Sequence, residues 1–210
     1  MKKNHPIYQL EKYLLKKEPR LILEFSRYIY VSYGVTLSRE IFYIKASDLL
    51  NGWLEDQIEL LSEGQELAFH SRVRLHEDDK NIYHLPMIDF INTKSEKKIL
   101  SKISPINQMI DSDLILYESG NSFHGYFFLL LSEPNWYKFL GRSLLCNPPS
   151  RFNEEIVDSR WIGHSLEHGF SALRWSKKTE KYKIVPKLSK KSTKHKEPSN
   201  SLMFDVVLGN

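Results

Sequence analysis

Three short segments of the sequence place polar side chains where they could bind an ion or a phosphate. Asp89 stands in the apolar run 85–91, and an ionised carboxylate there costs several kcal/mol unless a cation or hydrogen-bond donors face it. Ser122 and His124 flank Phe123, and strand alternation would put both on one face, where they could reach a ligand. Asp158 adds a second carboxylate at the start of a helix-like stretch.

A basic cluster follows the second carboxylate along the chain. It consists of Arg174, Ser176, Lys177 and Lys178. Such a cluster can hold phosphates, because arginine supplies a planar fork of donors and lysine a point charge.

Each of these signals also has a structural interpretation. Asp89 could cap a turn at a strand end, His124 could be a hydrogen-bonded structural residue, and Asp158 could cap a helix. The basic cluster could be a solvated hairpin. His164 and His168 lie one helical turn apart, but no recognised Glu-containing zinc motif accompanies them, so we do not favour a zinc site there.

The elements that must position these residues alternate between helical and strand-like patterns, which predicts an α+β domain. Helices are predicted at residues 6–17, from 47 or 48 to 64, at 95–110 with a break near Pro105, at 134–145 and at 158–168. Residues 20–35 suit a buried helix or a buried strand, and we slightly favour a helix.

Strand-like runs surround the candidate residues. Strands are predicted at residues 41–46, 66–75, 81–92, 114–117, 123–131, 170–175 and 181–185. The polar turn 77–80 predicts a β-hairpin between the second and third of these runs, and a lysine-rich turn suggests that the last two pair with each other.

The order of these segments resembles the motifs of the archaeo-eukaryotic primase superfamily: a strand aspartate, a Ser-x-His strand, and a later aspartate followed by Leu-Arg-x-Ser. In particular, YESGNSFHGY at residues 117–126 and ALRWS at residues 172–176 are similar to a bacterial and phage primase-like branch. The resemblance spans residues from about 67 to 186. It implies an RRM-like sheet flanked by helices on one side, with the strands of Asp89 and His124 close together.

The resemblance also implies roles for the candidate residues. Asp89, His124 and Asp158 would be catalytic, and the two aspartates would hold Mg²⁺ or Mn²⁺. The residues expected to bind nucleotide or phosphate are Ser122, His124, Arg174, Ser176 and Lys177.

The sequence departs from the superfamily at Ile91. Members usually carry a second acidic residue two positions after the first, and an aliphatic side chain cannot ligate Mg²⁺. Full polymerase activity therefore requires Glu118, Asp113 or another carboxylate to take that place.

Three functions fit this pattern. The one we favour is a primase-like or polymerase-like nucleotidyltransferase that acts on DNA or RNA with a nucleoside triphosphate. The second is a catalytically degenerate module that binds nucleotide or nucleic acid in a larger complex for replication or mobile-element defence. The third, a metal-dependent nuclease that reuses the same carboxylates, has no motif in its favour.

The bulk composition limits the class of protein. With 210 residues and 41% hydrophobic content, most of the chain can bury a core, which excludes general disorder. A formal charge of +4 permits a nucleic-acid partner without requiring one.

The single cysteine, Cys146, excludes an internal disulfide, favours a buried packing role and suggests the cytoplasm. The apolar run 126–131 is too short to cross a bilayer, so we expect no membrane partner.

We divide the chain into four segments. Residues 1–65 form an N-terminal α/β extension, and residues 66–186 form the primase-like core. Residues 187–201 are basic and predicted to be flexible, and residues 202–210 are an apolar C-terminal segment that could form a strand or dock on a partner.

Overall fold

Two antiparallel sheets and six α-helices organise the described part of the chain. The computed structural model describes residues 2–12, 18–29, 39–49, 52–91, 93–149, 152–180, 182 and 184–189. The strands are β1 (Ile22–Ile29), β2 (Arg39–Lys45), β3 (Gln65–Arg74), β4 (Tyr83–His84), β5 (Met87–Asp89), β6 (Ile115–Glu118), β7 (Phe123–Tyr126), β8 (Leu131–Ser132), β9 (Ala172–Arg174) and β10 (Lys187–Leu188). The helices are α1 (Pro6–Leu10), α2 (Trp53–Glu59), α3 (Glu96–Lys102), α4 (Ser104–Asn107), α5 (Glu133–Leu144) and α6 (Ser159–His168).

The first sheet has the order β2-β1-β3-β4-β8, and β9 also pairs with β3. Our preference for a helix in residues 20–35 was wrong where the structure describes them, because residues 22–29 form strand β1. Seven of the eight residues in β1 are buried or half-buried, on both faces of the strand, and polar and apolar side chains alternate only over residues 23–26. Without a longer alternation a buried strand and a buried helix look alike.

The predicted hairpin between β3 and β4 is confirmed, but its second arm divides at Pro86. Arg72 pairs with His84 and Val73 with Tyr83, after which the chain leaves the first sheet. Proline lacks the N–H that a continuing ladder would need. Pro86 instead accepts a hydrogen bond from Phe127 at 3.0 Å, and the next residues form β5 in the second sheet.

The second sheet has the order β10-β6-β7-β5. The predicted pair of strands on either side of residues 119–122 is confirmed as β6 and β7. The suggested pairing of 170–175 with 181–185 was wrong, because β9 pairs with β3 and the described residues of 181–185 form no strand. Lys187 and Leu188 pair with β6, so ordered structure passes the Pro186 boundary, and residues 190–210 lie outside the described residues.

The helices of the structure differ from the predicted helices mainly at their ends. Residues 95–110 form α3 and α4, interrupted as predicted, and α5 and α6 lie where the sequence placed them. The helix predicted from 47 or 48 is a 3-10 turn at Ala46–Leu49 followed by α2. Only the start of the predicted helix 6–17 lies in α1, since residues 13–17 are outside the described residues. Among the described residues, no helix has the length and apolar composition needed to cross a membrane.

Two apolar clusters hold these elements together. One joins side chains of both sheets with α1 and α2, and Phe25, Phe69 and Trp175 are at most 1% exposed within it. The other joins β5, β6 and β7 to α3, α4, α5 and α6, and it contains the buried Cys146. The two clusters fix the relative position of the sheets and α6, whose residues line the candidate site.

Three buried histidines stay neutral within this core. Burial lowers the pKa of His5 and of His70 to about 4 and the pKa of His84 to about 3, because an apolar environment disfavours the imidazolium cation. The Nδ1 atom of His84 shares a hydrogen bond with Ser71 Oγ. The ring of His84 stacks on that of Trp136, with the ring centroids 4.1 Å apart.

We expect the free energy of unfolding to fall as the pH drops from about 6.5 toward 4, because only the unfolded chain then binds protons at these histidines. His84→Phe keeps a ring on Trp136 but removes the titrating group. Between about pH 7 and pH 4 this variant should lose roughly 2–3 kcal/mol less stability than the wild type. Urea unfolding at each pH measures the difference, and parallel losses in the two proteins would contradict it.

Candidate functional site

A cavity of about 460 Å³ is lined by residues from both sheets, from the turn between β6 and β7, and from helix α6. Five residues that the sequence analysis singled out lie on its wall: Asp89, Ser122, His124, Asp158 and Arg174. They come from separate parts of the chain, so the fold has brought together side chains that the sequence analysis connected only by order and type.

The pairing of β5 with β7 places Asp89 directly opposite His124. The Nε2 atom of His124 lies 3.9 Å from the Oδ1 atom of Asp89, which is longer than a direct hydrogen bond. Phe123 points into the apolar cluster on the other face, as strand alternation predicts. Ser122 and His124 therefore face the cavity together with Asp89.

Asp158 joins this pair through the backbone. Phe90 and Val157 form an isolated antiparallel bridge, and the backbone N–H of Asp158 donates to the carbonyl of Asp89 at 3.0 Å. The Oδ1 atom of Asp158 accepts hydrogen bonds from the N–H groups of Arg160 and Trp161 at 2.9 and 3.1 Å. Asp158 is thus the N-cap of α6, and one carboxylate oxygen remains for a ligand.

The environment of Asp89 favours its neutral form. Burial away from bulk water and then the adjacent Asp158 raise its pKa, Arg174 lowers it, and the net pKa is about 8. Its side chain is still 31% exposed toward the cavity, so a ligand can reach it. Two neighbouring carboxylates that resist joint ionisation are a site where a cation would be stabilised.

Two polar atoms beside Asp89 have no hydrogen-bond partner in the described structure. They are the Oγ atom of Ser122 and the Nδ1 atom of His124, and both are buried. Burial, followed by the charge of Arg174, holds the pKa of His124 well below its usual range, so the ring is neutral. A buried polar atom without a partner is costly, which suggests that a bound group supplies one.

Arg174 is held by backbone carbonyls. Its Nη1 atom donates to Ser176 and to Ile184, and its Nη2 atom donates to Ser119 at 2.8 Å. The ring of Tyr182 stacks 4.0 Å from its guanidinium carbon. These bonds use three of the five donors of the side chain, so Arg174 fixes the turn between β6 and β7 and adds positive charge to the cavity.

Two other residues from the predicted phosphate site are not on the cavity wall. Ser176 is fully buried, where its Oγ atom donates to Glu66 and accepts from the backbone N–H of Leu67. Lys177 is exposed and does not line the cavity. The structure therefore places Arg174 in the cavity and its two predicted neighbours outside it.

The substitutes considered for the missing second acid are not in the cavity either. Ile91, Glu118 and Asp113 are all absent from the described lining residues, among which Asp89 and Asp158 are the only carboxylates. Glu118 forms an ion pair with Lys187 at 3.2 Å.

Several residues of the cavity wall were missed by the sequence analysis. They include Tyr28, Arg39, Arg160, Phe170 and Tyr182. Tyr28 and Phe170 occur in apolar runs typical of a core, and Arg39 occurs before a strand where an arginine is usually solvated. Only Arg160 could have been found, since it lies two residues after Asp158 in a helix whose start was predicted.

The histidine pair on α6 also lines the cavity. His164, Glu167 and His168 bring possible ligand atoms within 4.8 Å of one another. The Nδ1 atom of His168, however, donates to the carbonyl of His164 at 2.8 Å, and Glu167 is exposed. We assign no ion to this group.

The donor set at Asp89 and Asp158 fits one hard divalent cation. It offers both oxygens of Asp89 and one oxygen of Asp158, and Mg²⁺ and Mn²⁺ prefer oxygen ligands and retain several waters. A cation would also offset the burial and the repulsion from Asp158 that raise the pKa of Asp89.

Comparison with known proteins gives one family. The model of the family described as archaeo-eukaryotic primase 1D-like matches residues 45–187, which is more than half of the chain and includes every residue of the predicted site. No curated protein and no solved structure matches the chain.

The raised pKa of Asp89 leads to a stability prediction for the metal-free protein. Because Asp89 binds its proton more tightly in the folded state, its contribution to the stability of the fold falls as the pH rises from about 4 to about 8. In EDTA, Asp89→Asn should melt at a higher temperature than the wild type at about pH 8.5, and the difference should shrink toward pH 5. For a chain of this size, each kcal/mol added to the free energy of unfolding raises the melting temperature by about 2–4 °C.

Asp158→Asn is the matched variant for that experiment. Asparagine can still cap α6, but the neighbouring charge is removed, so part of the same gain is expected. Scanning calorimetry measures all three proteins. A melting temperature of Asp89→Asn that follows the wild type at every pH would contradict the assigned environment.

Proposed function

Because the chain belongs to the archaeo-eukaryotic primase-like family, we propose that it binds a nucleoside triphosphate and nucleic acid through a divalent-metal site and transfers nucleotides as a primase or polymerase does. Membership of the family itself indicates a primase-fold protein with a nucleic-acid-related function. The observation that supports the finer proposal is the backbone bond from Asp158 to Asp89, which puts two carboxylates side by side in one cavity.

In this proposal each side chain has a separate task. Asp89 and Asp158 hold Mg²⁺ or Mn²⁺, and such an ion supplies activation of the attacking oxygen and neutralisation of the charge on the phosphates. His124 is neutral and Ser122 has an unpartnered hydroxyl, so both can bond to a phosphate oxygen. Arg174 holds the turn that carries Ser122 and contributes positive charge.

One observation favours the second candidate, a catalytically degenerate binding module in a larger replication or defence complex. The described cavity wall has two carboxylates, and one oxygen of Asp158 is already committed to capping α6. Two-metal transfer usually requires more carboxylate oxygens than this leaves. Binding without turnover would then be the retained function.

Calorimetric titration of a nucleoside triphosphate, with and without Mn²⁺, tests the proposed site. We expect Mn²⁺-dependent binding by the wild type and a dissociation constant about tenfold or more higher in Asp89→Ala and in His124→Ala, because lost contacts to charged groups are worth about 1.5–3 kcal/mol. The exposed residues Asp78 and His76 provide the control variants Asp78→Ala and His76→Ala, which should bind as the wild type does.

The two candidate functions differ in their products. A template-dependent product that is made by the wild type and lost in Asp89→Ala establishes the transferase. Metal-dependent binding without a product supports the degenerate module. The proposed nucleotide site is wrong if the wild type shows no binding, or if the Asp89 and His124 variants bind as the controls do.

A further inference from the structure

Arg39 lies on the cavity wall but precedes the segment that the family model matches. We propose that Arg39 binds a backbone phosphate of a single nucleic-acid strand, in a part of the cavity separate from Asp89 and Asp158. The inference rests on the proposed function, because it takes the cavity to be a nucleic-acid site. It assigns strand binding to a residue outside the matched segment.

Two side chains of the first sheet hold the guanidinium of Arg39 in place. Its Nη1 atom donates to Ser26 Oγ at 2.7 Å and to His70 Nε2 at 3.0 Å. Arginine has no acceptor, so Nε2 of His70 must accept. A neutral imidazole nitrogen has one lone pair, which the Nη1 N–H group and the Ser26 hydroxyl, 2.8 Å away, share. Together these contacts hold the Nη1 end of the guanidinium.

A buried carboxylate, that of Glu24, fixes His70 without contacting Arg39. His70 donates from Nδ1 to Glu24 Oε1 at 2.6 Å, which fits the tautomer that Arg39 requires. Ser26 and His70 are 0% exposed and Glu24 is 2% exposed. A neutral imidazole thus separates Arg39 from the carboxylate of Glu24, and no carboxylate of a described residue forms a direct ion pair with Arg39.

Two donor atoms of Arg39 have no hydrogen-bond partner within the described part of the chain. Its Nε and Nη2 atoms make no hydrogen bond to another described residue, and neither is a buried atom lacking a partner. The rings of Tyr28 and Phe170 lie 4.9 and 5.7 Å from the guanidinium carbon, which restricts its orientation. A positively charged guanidinium held in a fixed orientation matches a phosphate group.

The backbones of Arg39 and Arg174 lie on opposite sides of β3. In the order β2-β1-β3, with β9 on the other side of β3, Arg39 is the first residue of the edge strand β2. Arg174, in β9, pairs with Ala68 of β3. Neighbouring strands are about 4.8 Å apart, so the backbones of the two arginines are separated by roughly 14 Å. The charges that act on Asp89 are those of Asp158 and Arg174, which agrees with this separation.

Helix α6 connects the two regions. Arg160, His164 and His168 recur every four residues and all line the cavity, so they share one face of the helix. The helix extends about 15 Å from its cap at Asp158, and Phe170, just beyond its end, stacks on His70. A nucleic-acid strand that runs along α6 can therefore contact Arg39 as well as the region of Asp89.

Fluorescence anisotropy of a labelled thymidylate single strand in EDTA, over a series of salt concentrations, tests the inference. Without metal, binding does not depend on an ion at Asp89. We expect Arg39→Ala to weaken strand binding about tenfold at low salt and to reduce the slope of log K against log salt by about 0.7, the value for one phosphate contact. Arg39→Lys should keep the slope but recover only part of the affinity, because lysine lacks the fork.

Two controls separate this inference from the proposed function. Arg20→Ala removes one exposed arginine that is paired with Glu18 and should bind the strand as the wild type does. Mn²⁺-dependent nucleotide binding should be unchanged in Arg39→Ala. If that variant does not fold, Arg39→Gln keeps an N–H donor for Ser26 and decides the same question.

The outcomes are distinct. The inference would be overturned if the Arg39 variants kept the affinity and salt slope of the wild type, or if the wild type bound no strand. It would also be overturned if Arg39→Ala lost nucleotide binding to the same extent as strand binding. An Arg39-dependent salt slope in a protein that binds no nucleotide would support the inference and reject the proposed nucleotide site.

Discussion

The candidate site depends on how β5 is held between two partners. On one side it pairs with β7, and Phe90 donates to Phe123 at 2.9 Å. On the other side the segment before α6 takes over, because Ile91 donates to Ile156 at 2.8 Å and Asp158 donates to Asp89. This arrangement forces two carboxylates together despite their mutual repulsion, and the apolar contacts of Phe90 and Val157 in the second cluster stabilise it.

Buried polar groups position the remaining cavity residues. Glu66 accepts hydrogen bonds from Ser176 Oγ and, at 2.7 to 3.0 Å, from the backbone of Lys178 and from Thr179. These bonds fix the chain just after Arg174, so Ser176 supports the cavity from outside. Glu24 does the same for Arg39 through His70. Glu66 accepts four hydrogen bonds, and Glu24 accepts one from His70 and lies 3.7 Å from Arg72, which makes the burial of both carboxylates tolerable.

Sequence patterns grouped residues that share the cavity wall better than they identified the sheet that positions them. Strand alternation was enough to group Ser122 with His124, and the helix signal placed Asp158 at a cap, which proved compatible with a place on the cavity wall. Strand β1 could not be recognised because both of its faces are covered. Arg39 was missed because its significance comes from contacts with Ser26 and His70, residues 13 and 31 positions away, and sequence patterns report only neighbours.

The absence of an acid at position 91 has a consequence for how an ion would bind. The backbone of Ile91 is committed to Ile156, and the side chain does not line the cavity. An ion held by Asp89 and the free oxygen of Asp158 would have few protein ligands, so water or phosphate oxygens must complete its shell. Nucleotide and metal would then each raise the affinity of the other by the same factor, since the linkage is reciprocal. In such a site the nucleotide supplies the negative charge that a second acid at this position would otherwise provide.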